Sequence, residues 1–157
     1  MFWMQAGRFC LTVIIIGIFA HVLGERLHRE KFNPQKFPYR AFSWEDGGKL
    51  YLRLGIQHWK EWMPDKSKFV KKSYTKSVGA LRSSQHMLRL VQETCVAEFV
   101  HWVLLAISPV MLLTMQAPGS IAGMLLYGLS NIPFIMIQRY NRPRLNELYE
   151  RLVRQQR

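Results

Sequence analysis

With 157 residues the chain has the length of one domain, but 49% apolar residues together with a net charge of +12 do not describe an ordinary soluble one. The two properties coexist because they are segregated: residues 25–96 hold fifteen Lys/Arg against seven Asp/Glu, residues 137–157 hold six against two, and three long stretches carry almost no charge. Such basicity invites a nucleic-acid reading, but three apolar blocks of membrane length argue against it. Cys10 and Cys95 fall in or beside those blocks, so no disulfide is expected.

The first block, Phe9–Gly24, follows the lone Arg8. It has the make-up of a secretory signal except that no small-x-small cleavage site follows, and it reads as a retained anchor. The second, within residues 97–115, and the third, Ile121–Ile137, are each as short as a bilayer span can be. Only Gln116-Ala-Pro-Gly-Ser120 separates them, and it is uncharged. All the basic flanks, from Arg26 to Arg40, at Arg82 and Arg89, and at Arg139, Arg142 and Arg144, then fall on one side. The positive-inside rule makes that side cytoplasmic, with the N-terminus outside and the C-terminus inside. The expected fold is an all-α membrane protein: one domain over residues 1–157, three transmembrane helices, a cytoplasmic loop over 25–96 and an amphipathic tail helix over 143–157 on the cell membrane.

The loop opens as a proline-marked stretch, then sets Trp44, Leu50, Tyr51, Leu54, Trp59 and Trp62 among lysines and arginines. Aromatics interleaved with cations suit the headgroup layer. A small core beneath the loop accounts for the same residues equally well. Lys66–Lys76 is a basic run attracted to anionic lipid. A helical pattern begins near Val78 and enters the second span. After Pro143, Leu145, Leu148, Tyr149, Leu152 and Val153 recur at helical spacing, with the proline expected to open that helix after a break.

Chemistry concentrates where the spans meet the cytoplasmic surface. Glu98 and His101 are three apart, hence neighbours on a helix, and a carboxylate beside an imidazole fixes its tautomer and raises its basicity. Asn131, Gln138 and Arg142 share a helical face of the third span. The short turn makes the two spans antiparallel neighbours, with Gly119, Gly123 and Gly128 allowing close approach. The five polar residues are therefore expected in one layer, and ionisable groups at that depth suggest a functional site. No metal-ligand spacing, phosphate loop or nucleophile elbow occurs. Ser108 and Ser130 read as ordinary helix serines.

Glu93-Thr-x-x-Ala97-Glu98-x-x-His101-Trp102, with Asn131-x-Pro133 and Gln138-Arg-Tyr-Asn-Arg-Pro-Arg-Leu145, resembles the glycosyl-4,4'-diaponeurosporenoate acyltransferase family. Phe42, Glu45, Gly48-Lys49, Trp59-Lys60 and Asp65 extend the likeness. The resemblance implies transfer of a fatty acyl group to a sugar hydroxyl of a glycosylated isoprenoid or other glycolipid in the membrane. The co-substrate would be acyl-CoA or an acyl carrier, with no bound cofactor and no metal. His101 would be the general base and Glu98 its orienting partner. Asn131 and Gln138 would donate to the oxyanion or the sugar, and Arg139, Arg142 and Arg144 would hold the donor's phosphates. Glu93, Asn141 and Trp59 complete the expected substrate-binding set. The competing reading is a non-catalytic membrane adaptor or lipid-binding subunit of a larger enzyme, whose self-association the sequence leaves open.

Overall fold

In the computed structural model, which describes residues 2–63 and 84–156, every regular element among the described residues is helical. Six α-helices are present among the described residues: α1 (Phe2–Arg26), α2 (Lys49–Arg53), α3 (Ile56–Trp59), α4 (Ser84–Ile107), α5 (Gly119–Ser130) and α6 (Ile132–Gln155). Short 3-10 turns fill in between them, the longest being Ser43–Gly48 and Ser108–Leu113. The basic run Lys66–Lys76, together with Asp65, Val78, Leu81 and Arg82, lies outside the described residues.

Among the described residues, three helical stretches are long and apolar enough to cross a membrane: Trp3–Arg26, Ser84–Leu113 and Gly119–Gln155. At about 1.5 Å per residue the first alone measures about 36 Å, more than the ~30 Å hydrocarbon core. The side chains support the same conclusion, because Leu11, Ile14, Ile15, Ile18 and Phe19 of α1 are all more than half exposed. A continuous apolar face of that kind suits an apolar solvent.

The chain divides into two compact units, Met1–Leu27 with Ala97–Ile135, and His28–Val96 with Met136–Arg157. In the first, Ile16, Ala20, Leu104 and Met111 form a buried cluster, with Phe9, Val100 and Tyr127 against it. Lipid removes the hydrophobic incentive for helices to associate, so their packing depends on close van der Waals contact and small residues. The glycines provide that contact. A Cβ on Gly128 would stand 3.0 Å from Ser108 Oγ, and one on Gly123 would stand 3.0 Å from the Phe9 ring.

Two prolines interrupt this unit's helices where the sequence suggested unbroken spans. Pro109 starts the 3-10 turn that ends the second span, and Pro133 follows the junction between α5 and α6. A proline cannot donate to the carbonyl four residues back and its ring crowds that carbonyl. The expected span Ile121–Ile137 is accordingly two helices, with Asn131 as the C-cap of the first.

In the second unit, Tyr51, Ile56, Ile137 and Tyr140 are buried together, with Trp59 and Met63 packed on them. The small core beneath the loop is present, and it takes in only some of the loop aromatics. Tyr51 and Trp59 build a core, whereas Trp44 and Trp62 are 61% and 88% exposed. Helix α6 continues through Pro143 instead of restarting there. An interior proline costs a helix about 3 kcal/mol, and the tertiary bonds made by Arg139 and Arg142 in the turn before it offset that cost. The far end of α6 is tied by Ser84 Oγ, which donates to Gln156 Oε1 at 2.9 Å.

Candidate functional site

The first unit holds the candidate acid–base group. His101 Nδ1 lies 3.0 Å from Asn131 Oδ1, and the same amide's nitrogen donates to Tyr127 O at 2.8 Å. The second bond fixes which way the amide points, so its oxygen faces the imidazole. Nδ1 must therefore carry the proton, and in the neutral ring Nε2 holds the lone pair. Phe134 stacks on the imidazole at 4.7 Å between centroids, with the planes 5° apart. The ring is thus fixed in tautomer, tilt and position by residues of α5 and α6, and Asn131 owes its place to the helix break beside Pro133.

Glu98 is fully buried and accepts the Trp102 indole N–H at 3.3 Å. Asn131, rather than Glu98, occupies Nδ1 of His101. Of the expected catalytic trio, the structure brings His101 and Asn131 into direct contact and places Glu98 one turn earlier on α4, beside Trp102.

The remaining predicted residues belong to the second unit, where the arginines are heavily engaged. Arg139 donates Nε to Glu45 Oε1 at 2.5 Å and Nη2 to Oε2 at 2.9 Å. It reaches Pro38 O at 3.0 Å and Arg40 O at 3.3 Å, and its guanidinium covers the Phe42 ring. Arg142 donates to Thr94 Oγ1, Thr94 O and Tyr39 O at 2.9, 3.1 and 2.6 Å. Arg144 bonds Tyr140 O at 2.7 Å and lies over the Tyr140 ring. Glu93 pairs in two-pronged fashion with Arg29, at 2.9 and 3.3 Å. Trp59 donates its indole N–H to Leu54 O at 3.1 Å, Gln138 is buried, and Asn141 is half-buried.

The residue that sequence reasoning undervalued is Glu45. It is buried to 1% exposure at the centre of a network: Arg139 forks onto it, the Tyr51 hydroxyl donates to Oε1, and the Phe42 N–H donates to Oε2 at 2.6 Å. Its turn depends on left-handed backbone at Asp46, Gly47 and Gly48, with φ of 46°, 61° and 95°. Glycine tolerates such angles at no steric cost. Burial alone would push the Glu45 carboxyl up, but the hydrogen bonds from Arg139, Tyr51 and Phe42, and the Arg139 charge, bring it below its ordinary 4.5. Burial, reinforced by that carboxylate, pushes the Tyr51 phenol well above its ordinary range. The available signal was an acidic pair, Glu45-Asp46, followed by two glycines and set between Arg40 and Lys49. The partner of Glu45, 94 residues away, left no local trace.

Described residues that are helical throughout, with three stretches able to cross a membrane, define a membrane protein, and His101 with Asn131 is its candidate acid–base group. The sequence model of the glycosyl-4,4'-diaponeurosporenoate acyltransferase family matches residues 34–151, and the chain belongs to that family. It is an acyltransferase by that membership. Relatives of the same name in Staphylococcus aureus strains bovine RF122 / ET3-1 and MRSA252 are each 26% identical over 156 residues, covering 97% of this chain and 93% of theirs. The strain USA300 relative is 25% identical over the same span. No solved structure matches the chain.

Proposed function

We propose that this protein transfers a fatty acyl group from acyl-CoA, or an acyl carrier, to a sugar hydroxyl of a glycosylated isoprenoid or related glycolipid at the cytoplasmic leaflet. Family membership supports the reaction class and the glycosylated acceptor. The observation that carries the mechanism is the His101–Asn131 bond, because it leaves Nε2 as the basic nitrogen. In this reading Nε2 removes the proton from the acceptor hydroxyl as its oxygen attacks the thioester carbonyl. The tetrahedral intermediate then expels the thiolate, which takes the proton back from the imidazolium, leaving an ester, a free thiol and the original tautomer.

Asn131 acts here as the positioning residue for the base. Glu98 sets the local field and holds Trp102, while Gln138 and Asn141 supply amide groups to the acceptor. Arg139 and Arg142 serve to fasten the 38–45 segment. The donor's negative charge is met by Arg144 and by the surplus of fifteen basic over seven acidic residues across 25–96.

The test is an acyl-transfer assay on purified protein in lipid, with labelled acyl-CoA and a lipid extract of its host, beside His101→Ala. Wild type should form a new acylated glycolipid, and the variant should lose transfer by about 10²- to 10⁴-fold with its melting unchanged. Full activity in a folded His101→Ala protein would refute the assignment.

A further inference from the structure

Three aromatic side chains in the second unit point away from its core and touch one another. Phe37 is 82%, Trp44 61% and Phe42 36% exposed. The Phe42 ring lies 5.7 Å from Trp44, stacked at 13°, and 6.4 Å from Phe37, edge-on. The row is anchored, because Arg139 covers Phe42 at 4.6 Å and the Phe42 N–H is bound by Glu45. Phe42 is therefore tied to a buried ion pair, and Phe37 and Trp44 pack against its ring. Exposed Lys36 and Arg40 stand within the same stretch of chain.

We infer that Phe37, Phe42 and Trp44, with Lys36 and Arg40, form a surface that docks into the anionic headgroup layer of the bilayer. A rigid apolar row in water is costly, whereas aromatic rings settle at the level of the headgroups. Cations beside them are drawn to negative lipid. The bilayer is also within reach: α1 ends at Arg26, and Phe37 follows eleven residues later, a tether of at most about 40 Å. An acidic soluble partner would shield the row whatever the lipid charge, and a second copy of this net-positive chain would be repelled by the cations.

The test uses the full chain in phosphatidylglycerol-containing vesicles, with a nitroxide at Trp44→Cys in a Cys10→Ser background. Cys95 is fully buried and can stay. A second label at Gln57→Cys, an exposed position of α3, is the solvent reference. Collisions with a water-soluble nickel complex should be about threefold rarer at 44 than at 57, while oxygen collisions stay frequent, as for a group in the headgroup layer. Replacing phosphatidylglycerol by phosphatidylcholine, or Lys36 and Arg40 by Gln, should restore much of the nickel access at 44. Equal nickel access at the two positions would overturn the inference. Shielding of 44 from both reagents would also overturn it, by showing a protein contact. A profile indifferent to lipid charge would overturn the preference for anionic headgroups.

Discussion

His101 and Asn131 form the smallest part of the structure with a definite chemical consequence. If Asn131 acts only through the imidazole, Asn131→Leu should lower turnover by about tenfold or more while leaving KM for both substrates close to wild type. A rise in KM with unchanged turnover would instead make Asn131 a substrate contact. The pairing was partly legible: a polar residue at that depth in an apolar helix needs a partner. Which imidazole atom it would meet was not legible, because that depends on the break Pro133 makes.

Glu45 and Arg139 lead to a different kind of prediction. Removing one member strands a buried charge, so Glu45→Gln should destabilise the protein by about 3–5 kcal/mol, seen as a lower Tm in detergent or lipid. The double replacement Glu45→Leu/Arg139→Met should cost less than the sum of the two single ones. The pH dependence has a definite sign. The folded carboxyl titrates below 4.5, so its contribution is complete above the unfolded pKa and disappears as pH falls through the lower, folded value. Wild type should therefore lose Tm on acidification below about pH 4.5 more steeply than the Leu/Met variant.

Among the elements, α5 has the least freedom. Gly128→Leu would drive a branched side chain into Ser108, whose Oγ and Cβ would already stand 3.0 and 3.3 Å from a Cβ at that position. A loss of about 1–3 kcal/mol is expected, checked by thermal unfolding. At Gly123 the obstruction is the end of a Phe9 ring, and Gly123→Ala should be milder. These glycines were visible in the sequence as candidates for close approach, though their partners were not. Helix type and span positions were legible because hydropathy runs and helical spacing are local properties. The α5–α6 junction and the passage of α6 through Pro143 were not, since in one case a proline broke the expected helix and in the other tertiary bonds overrode a proline.

For the whole molecule, the two units hide their apolar residues differently. The first turns an apolar surface outward along α1, whereas the second buries Tyr51 and Ile56 against Ile137 and Tyr140 of α6, more than eighty residues on in the chain. The loop was the least readable region because its core is borrowed from a distant helix, and no periodicity within residues 28–63 announces that.

The fastening of this loop has a consequence for how the chain can vary. Arg139 and Arg142 grip Pro38, Tyr39 and Arg40 through their carbonyl oxygens, and a carbonyl is the same whatever side chain accompanies it. Saturation mutagenesis scored by thermal stability should therefore be lopsided: Arg40 exchangeable for most residues, positions 139 and 142 rejecting even lysine. Lysine would place a single ammonium where a planar fork serves several acceptors at once. Selection would then act on one end of these bonds while the other end drifts, and a residue tally of the loop would underrate how firmly its backbone is held.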